Sequence, residues 1–160
     1  MSKKIPEWDA ARVLNAAIMA GLAAVFLAVA VPLVRGAVMR QRTAECARKI
    51  MRTAAAFDFY AAAVKAYPLG PGISPQADTT MLGVFSALDI DWWEGQTELG
   101  GQWNWYGNGR GDCSVVISGS RVSSRQMARL DALLDDGDLA TGIFQRRGAQ
   151  YHYMVREHVL

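Results

Sequence analysis

Hydrophobic and polar positions divide the chain into an apolar first part and a patterned second part. From residue 13 to residue 34 nothing is charged, and Asn15 is the only strongly polar side chain. At 1.5 Å per residue this run makes about 33 Å of helix. A bilayer core is about 30 Å thick, so the run is expected to span one. A buried core helix and a secretory signal peptide are the alternatives. A small head can hardly cover such a helix on every side, which argues against the first. The helical pattern continues past Arg40, which argues against the second. Asp9 suits an N-cap, and no strong stop follows until Tyr67-Pro68-Leu69-Gly70-Pro71-Gly72. One helix over 9–66 is expected, bent near Pro32, whose ring removes a backbone hydrogen bond.

The second half of that helix reads differently. Cys46, Ile50, Phe57, Ala61 and Val64 share a stripe, while Arg42, Glu45, Lys49 and Arg52 face elsewhere. Residues 68–75, rich in proline and glycine, read as a loop. Thr79 and Thr80 can cap a short helix to Leu88, with Met81, Leu82, Val84, Phe85 and Leu88 apolar. Residues 89–101 read as an irregular connection carrying Trp92 and Trp93. Trp103, Trp105 and Tyr106 suit a strand over 102–106, and Val115, Val116 and Ile117 a second over 113–118. Gly107, Gly109 and Gly111 mark the turn between them. Ser123 with Gln126 forms a capping-box pattern before a helix to about Leu134, with Met127, Leu130, Leu133 and Leu134 inward. Residues 143–146 and 150–156 predict a hairpin around Arg147-Gly148. In its second strand Tyr151, Tyr153 and Val155 alternate with His152, Met154 and Arg156. The fold class is therefore α+β: a long N-terminal transmembrane-plus-stem helix packed against a small antiparallel head with short helices.

This plan resembles that of type IV pilins and type II secretion pseudopilins. Ala28-Val29-Ala30-Val31-Pro32 is similar to the apolar stretch that ends in the pilin proline. Residues 40–68, with Cys46-Ala47-Arg48-Lys49-Ile50 and Ala54-Ala55-Ala56-Phe57-Asp58-Phe59-Tyr60, look like a pilin stem. Gly100-Gly101-Gln102-Trp103-Asn104-Trp105 and residues 133–142 resemble pilin-like head segments. The resemblance implies a leader-like segment over 1–10, a membrane helix over 11–39, a stem over 40–67 and a head over 68–160. It places a leader cleavage between Ala10 and Ala11, and Pro32 is then the twenty-second mature residue. The family carries glutamate five residues into the mature helix, where this chain has Asn15, which can hydrogen-bond but cannot form an ion pair. The implied function is a structural subunit of a pilus or secretion pseudopilus. A non-assembling bitopic anchor, whose head binds an envelope partner or ligand, is the alternative. Ala16, Ala17, Ala20, Gly21, Ala23, Ala24 and Ala28, with Pro32, are the expected helix-packing residues, because small side chains let helices approach closely in lipid. The expected partners are membrane lipid and self or other pilin-like subunits.

Charge changes this picture at one point only. The net charge of +2 suggests no nucleic acid and no polyanionic substrate. Lys3, Lys4 and Arg12 precede the apolar run, and Arg35, Arg40, Arg42, Arg48, Lys49 and Arg52 follow it. The positive-inside rule then puts the head in the cytoplasm. The resemblance puts it outside the inner membrane, and that reading is preferred because pilin stems often carry arginines after the proline.

Candidate chemistry is sparse. His152 and His158 are the only histidines, and neither has an acid or cysteine at metal-ligand spacing. No nucleophile elbow, phosphate loop or H-E-x-x-H helix occurs, so no catalysis, cofactor or small-molecule substrate is expected. Asp135, Asp136 and Asp138 are a weak calcium candidate beside Gly137; a helix stop followed by an Asp-Gly turn explains them more simply. Cys46 and Cys113 can bridge about 67 residues in an oxidising compartment, worth about 3–4 kcal/mol, or stay as two buried thiols. The tryptophans of the head are read as core, and Arg110-Gly111-Asp112 is given no role.

Overall fold

The structure is a computed structural model that describes residues 7–71, 79–107 and 112–155. The leader-like residues 1–6, the loop residues 72–75, Gly109, Arg110, Gly111, Arg156 and His158 lie outside them. The chain forms two compact units, Met1–Arg40 and Gln41–Leu160. The first helix, α1 (Glu7–Val64), runs through both in chain order and passes Pro32 without a break. Asp9 lies inside α1 instead of capping it.

In the first unit the described large apolar side chains from Val13 to Val38 are exposed. None of the most apolar window, with a mean hydropathy of 2.6, is buried. A core helix is covered by its own protein, so the buried-core alternative falls away. Among the described residues one helix, α1, is long and apolar enough to cross a membrane.

The second unit is built on residues 41–64 of α1. Thr43, Cys46, Ala47, Ile50, Thr53, Ala54, Phe57 and Tyr60 are buried at helical spacing. The buried stripe thus includes two threonines and a tyrosine that a hydropathy pattern passes over. Val64, expected in the stripe, is exposed, and Ala61 is half-buried. The helix ends because Lys65 turns left-handed (φ 64°), its N–H reaching back to the Ala61 carbonyl at 2.7 Å. Pro68 follows three residues on. It cannot continue a helix.

A five-stranded antiparallel sheet packs on that stripe. Its strands are β1 (Gly70–Pro71), β2 (Gln102–Gly107), β3 (Cys113–Ser118), β4 (Phe144–Arg147) and β5 (Gln150–Val155). They lie in the order β1-β2-β3-β5-β4. The register sets Trp103 opposite Ile117 and Trp105 opposite Val115, with Tyr151 and Tyr153 across from the same two residues on β5. That face meets α1. Phe57 stacks on Trp105 at 3.7 Å between ring centroids and takes Phe85 and Trp93 edge-on. Trp93, Trp103 and Trp105 are core, as expected; Trp92 is half-buried and donates its indole N–H to Thr53.

Two elements differ from expectation. Gly70–Pro71, read as loop, forms the edge strand β1 against Gly107 and Tyr106. A proline is tolerated there because the outer side of an edge strand needs no donor. Gly107 is required at this point, since a Cβ would overlap the Pro68 carbonyl. The short helix is α2 (Thr79–Ala87), so Thr79 sits in its first turn, with Met81 and Phe85 buried while Leu82 and Leu88 are exposed.

The helix α3 (Ser124–Leu134) follows an extended Ser123. Ser123 makes no side-chain cap; its carbonyl instead accepts the N–H groups of Gln126 and Met127. The expected capping box is absent. The hairpin β4–β5 closes on a two-residue turn with Gly148 left-handed (φ 63°), and β4 begins at Phe144, one residue later than expected.

Candidate functional site

The inward face of α3 departs from its hydropathy. Met127 and Leu130 are buried as expected, but Leu133 is 55% exposed and Asp131 is fully buried in its place. Met127 and Asp131 are four residues apart and share a face, so helical geometry turns the carboxylate inward with the apolar pair. Neither oxygen of Asp131 has a hydrogen-bond partner among the described residues.

The segment after α3 wraps back over this end of the helix. Asp135 Oδ2 accepts the N–H of Ile143. A Cβ on Gly142 would overlap the Asp135 carboxylate, and Gly142 is left-handed (φ 74°), so only glycine fits. Asp136 accepts the Asp138 N–H at 2.8 Å and the Thr141 hydroxyl at 3.0 Å. Carboxylate oxygens of Asp131, Asp135 and Asp136 lie within 4.8 Å of one another. Asp138, the third member of the expected triad, is not in this group; its carboxylate accepts the Ala140 N–H at 3.0 Å and closes the turn. Spacing along the chain suggested Asp138, whereas the i, i+4 relation within α3 selects Asp131.

Asp131 is sealed from solvent but lies close to the surface. Burial first, and then the charges of Asp136, Asp135 and Asp138, push its carboxyl up to about 6. An unfolded aspartate titrates near 3.9, so the folded state holds the proton more tightly. Asp131 therefore favours folding fully below about pH 4, and this contribution is lost as pH rises through about 6. With a chelator present, Asp131→Asn is expected to be the more stable form at pH 7.5, by up to about 3 kcal/mol. That advantage should shrink towards zero near pH 4. Urea titrations of both forms across this range give the difference directly.

The other titratable groups have local explanations. His152 shares a hydrogen bond of 2.9 Å between Nδ1 and Ser114 Oγ, and both residues are buried. The pair satisfies two polar groups inside the sheet, so β5 is buried at Tyr151 and His152 alike instead of alternating. Burial, then the charge of Arg147, holds His152 below the usual histidine range. Cys46 and Cys113 are both buried, and no disulfide joins them. Burial, reinforced by Glu98 and opposed by Lys49, pushes the Cys46 thiol well up. Such a thiol is inert, as in a packing residue. Lys49 and Glu98 form a half-buried ion pair at 2.5 Å. A cleft of about 300 Å³ between α1 and β5 is lined by Met51, Ala54, Asp58, Tyr153 and Val155, among others, and holds no nucleophile–base pair.

The helix of the first unit exposes a continuous run of large apolar side chains. The expected packing residues Ala17, Ala20, Gly21, Ala24 and Ala28, together with Pro32, are all exposed, as are Ala10 and Ala11. A Cβ added at Gly21 would meet nothing within 4 Å. No family model, no curated protein and no solved structure matches the chain.

Proposed function

We propose that this chain is a pilin-like or pseudopilin-like structural subunit. It is held in the inner membrane by residues 11–39 and assembles through that helix into a type IV pilus or secretion pseudopilus. The observation that carries this reading is a single helix with two different surfaces. Residues 13–38 present bare apolar side chains, and residues 43–60 bury a stripe under a sheet. A bare apolar helix needs lipid or other helices around it. The head then faces the periplasm or the exterior, and its role is structural.

Asn15 favours a second reading. Without the glutamate of the pilin pattern, the chain lacks the charge that would pair with a neighbour's amine, and a lone bitopic anchor with a partner-binding head becomes the alternative.

Substitution of Gly21 by leucine separates the two. A Cβ added at Gly21 meets nothing within 4 Å, and the position is exposed, so the head is expected to fold unchanged. If neighbouring helices approach at Gly21, self-association in lipid or detergent should weaken by about tenfold, the scale of 1–2 kcal/mol for interhelical contacts. Crosslinking against protein concentration measures this. An unchanged oligomer distribution favours the lone anchor.

A further inference from the structure

We propose that Asp131, Asp135 and Asp136 form a calcium site at the C-terminal end of α3. The acidic cluster alone would not carry this. The second observation is Asp131 itself, a fully buried carboxylate with both oxygens unpartnered, within 4.8 Å of the other two carboxylates. Buried polar groups are almost always hydrogen-bonded or bound to an ion. None of the three acids has a lysine or arginine in ion-pair contact among the described residues. Three like charges at this spacing repel, and one divalent cation both neutralises them and supplies the missing partner.

The donors are all hard oxygens, which select calcium or magnesium over softer metals. With calcium–oxygen distances of about 2.4 Å, no two ligands of one ion lie more than about 4.8 Å apart, and the oxygens of the three carboxylates fall within that limit. Magnesium demands a tighter octahedron and gives up its water reluctantly. Asp135 and Asp136 already accept protein donors, yet a carboxylate has about four acceptor positions and retains some for a cation. Carboxylates and water together can complete the shell.

The test uses the full-length chain in detergent, stripped with a chelator and then given calcium chloride. Against sodium chloride of equal ionic strength, 10 mM calcium should raise Tm by about 5 °C, for a Kd in the range of about 0.1–1 mM. Asp131→Asn should abolish the rise while staying folded, and Asp136→Asn, at an exposed position, should reduce it. An unchanged wild-type Tm would overturn the site. So would an equal rise with sodium chloride, or an equal calcium response in both variants. None of these outcomes depends on what the N-terminal helix does.

Discussion

Trp105→Ala should destabilise the head by about 3–5 kcal/mol, the usual range for emptying a buried aromatic site. Trp105 is buried on the sheet face, stacked on Phe57 of α1, and its indole N–H donates to the Pro68 carbonyl at 2.9 Å. It therefore ties together three segments far apart in sequence: the stem, the edge of the sheet and the turn that leaves the stem. Removing it opens a cavity against Phe57 and takes a donor from Pro68. Trp105→Phe separates the two contributions. The phenyl ring keeps most of the stacking and loses the hydrogen bond, so a loss of about 1–2 kcal/mol is expected. Denaturant unfolding followed by tryptophan fluorescence measures both. A loss below about 1 kcal/mol for the alanine form would mean that the stem and sheet are not held together at this contact.

Leu22→Arg combined with Phe26→Arg should remove the chain from the membrane. Both side chains are exposed and neither contributes to the core of the head, so the head should fold normally. Each arginine near the centre of a spanning helix costs about 2.5–3.5 kcal/mol in insertion, and the two lie on one face. The pair is expected to shift most of the protein from the membrane fraction into the soluble or aggregated fraction. Retention of the double variant at wild-type levels would show that the apolar run is not what holds the chain to the membrane.

The sequence is legible where one kind of side chain repeats without interruption. The uncharged run over 13–34 needs no tertiary contact to be recognised, and the exposed helix agrees with it. The alternation Trp103–Trp105 likewise marks both a strand and its inward face. Legibility fails where a polar residue occupies a core position. Thr43 and Thr53 belong to the buried stripe because of helical spacing, not hydropathy. Asp131 is the sharpest case. Leu133 and Leu134 looked like the natural inward pair, but the face through Met127 and Leu130 takes in Asp131 and leaves Leu133 outside. Counting i+4 from Met127 would have found it. The acidic group shows the same error in another form, since Asp138 is close in sequence while Asp131 is close on the helix. The edge strand β1 was hidden because Gly70–Pro71 carries every local sign of a turn, and its pairing depends on Gly107 having no side chain.

Alkaline carbonate extraction of membranes holding the full-length chain, followed by protease treatment of intact spheroplasts, tests the central claim most directly. A spanning helix with its head outside predicts that the chain stays in the pellet, dissolves only in detergent, and loses its head to protease added from outside. Recovery of the chain in the carbonate supernatant would contradict the membrane-spanning helix, and with it assembly through that helix.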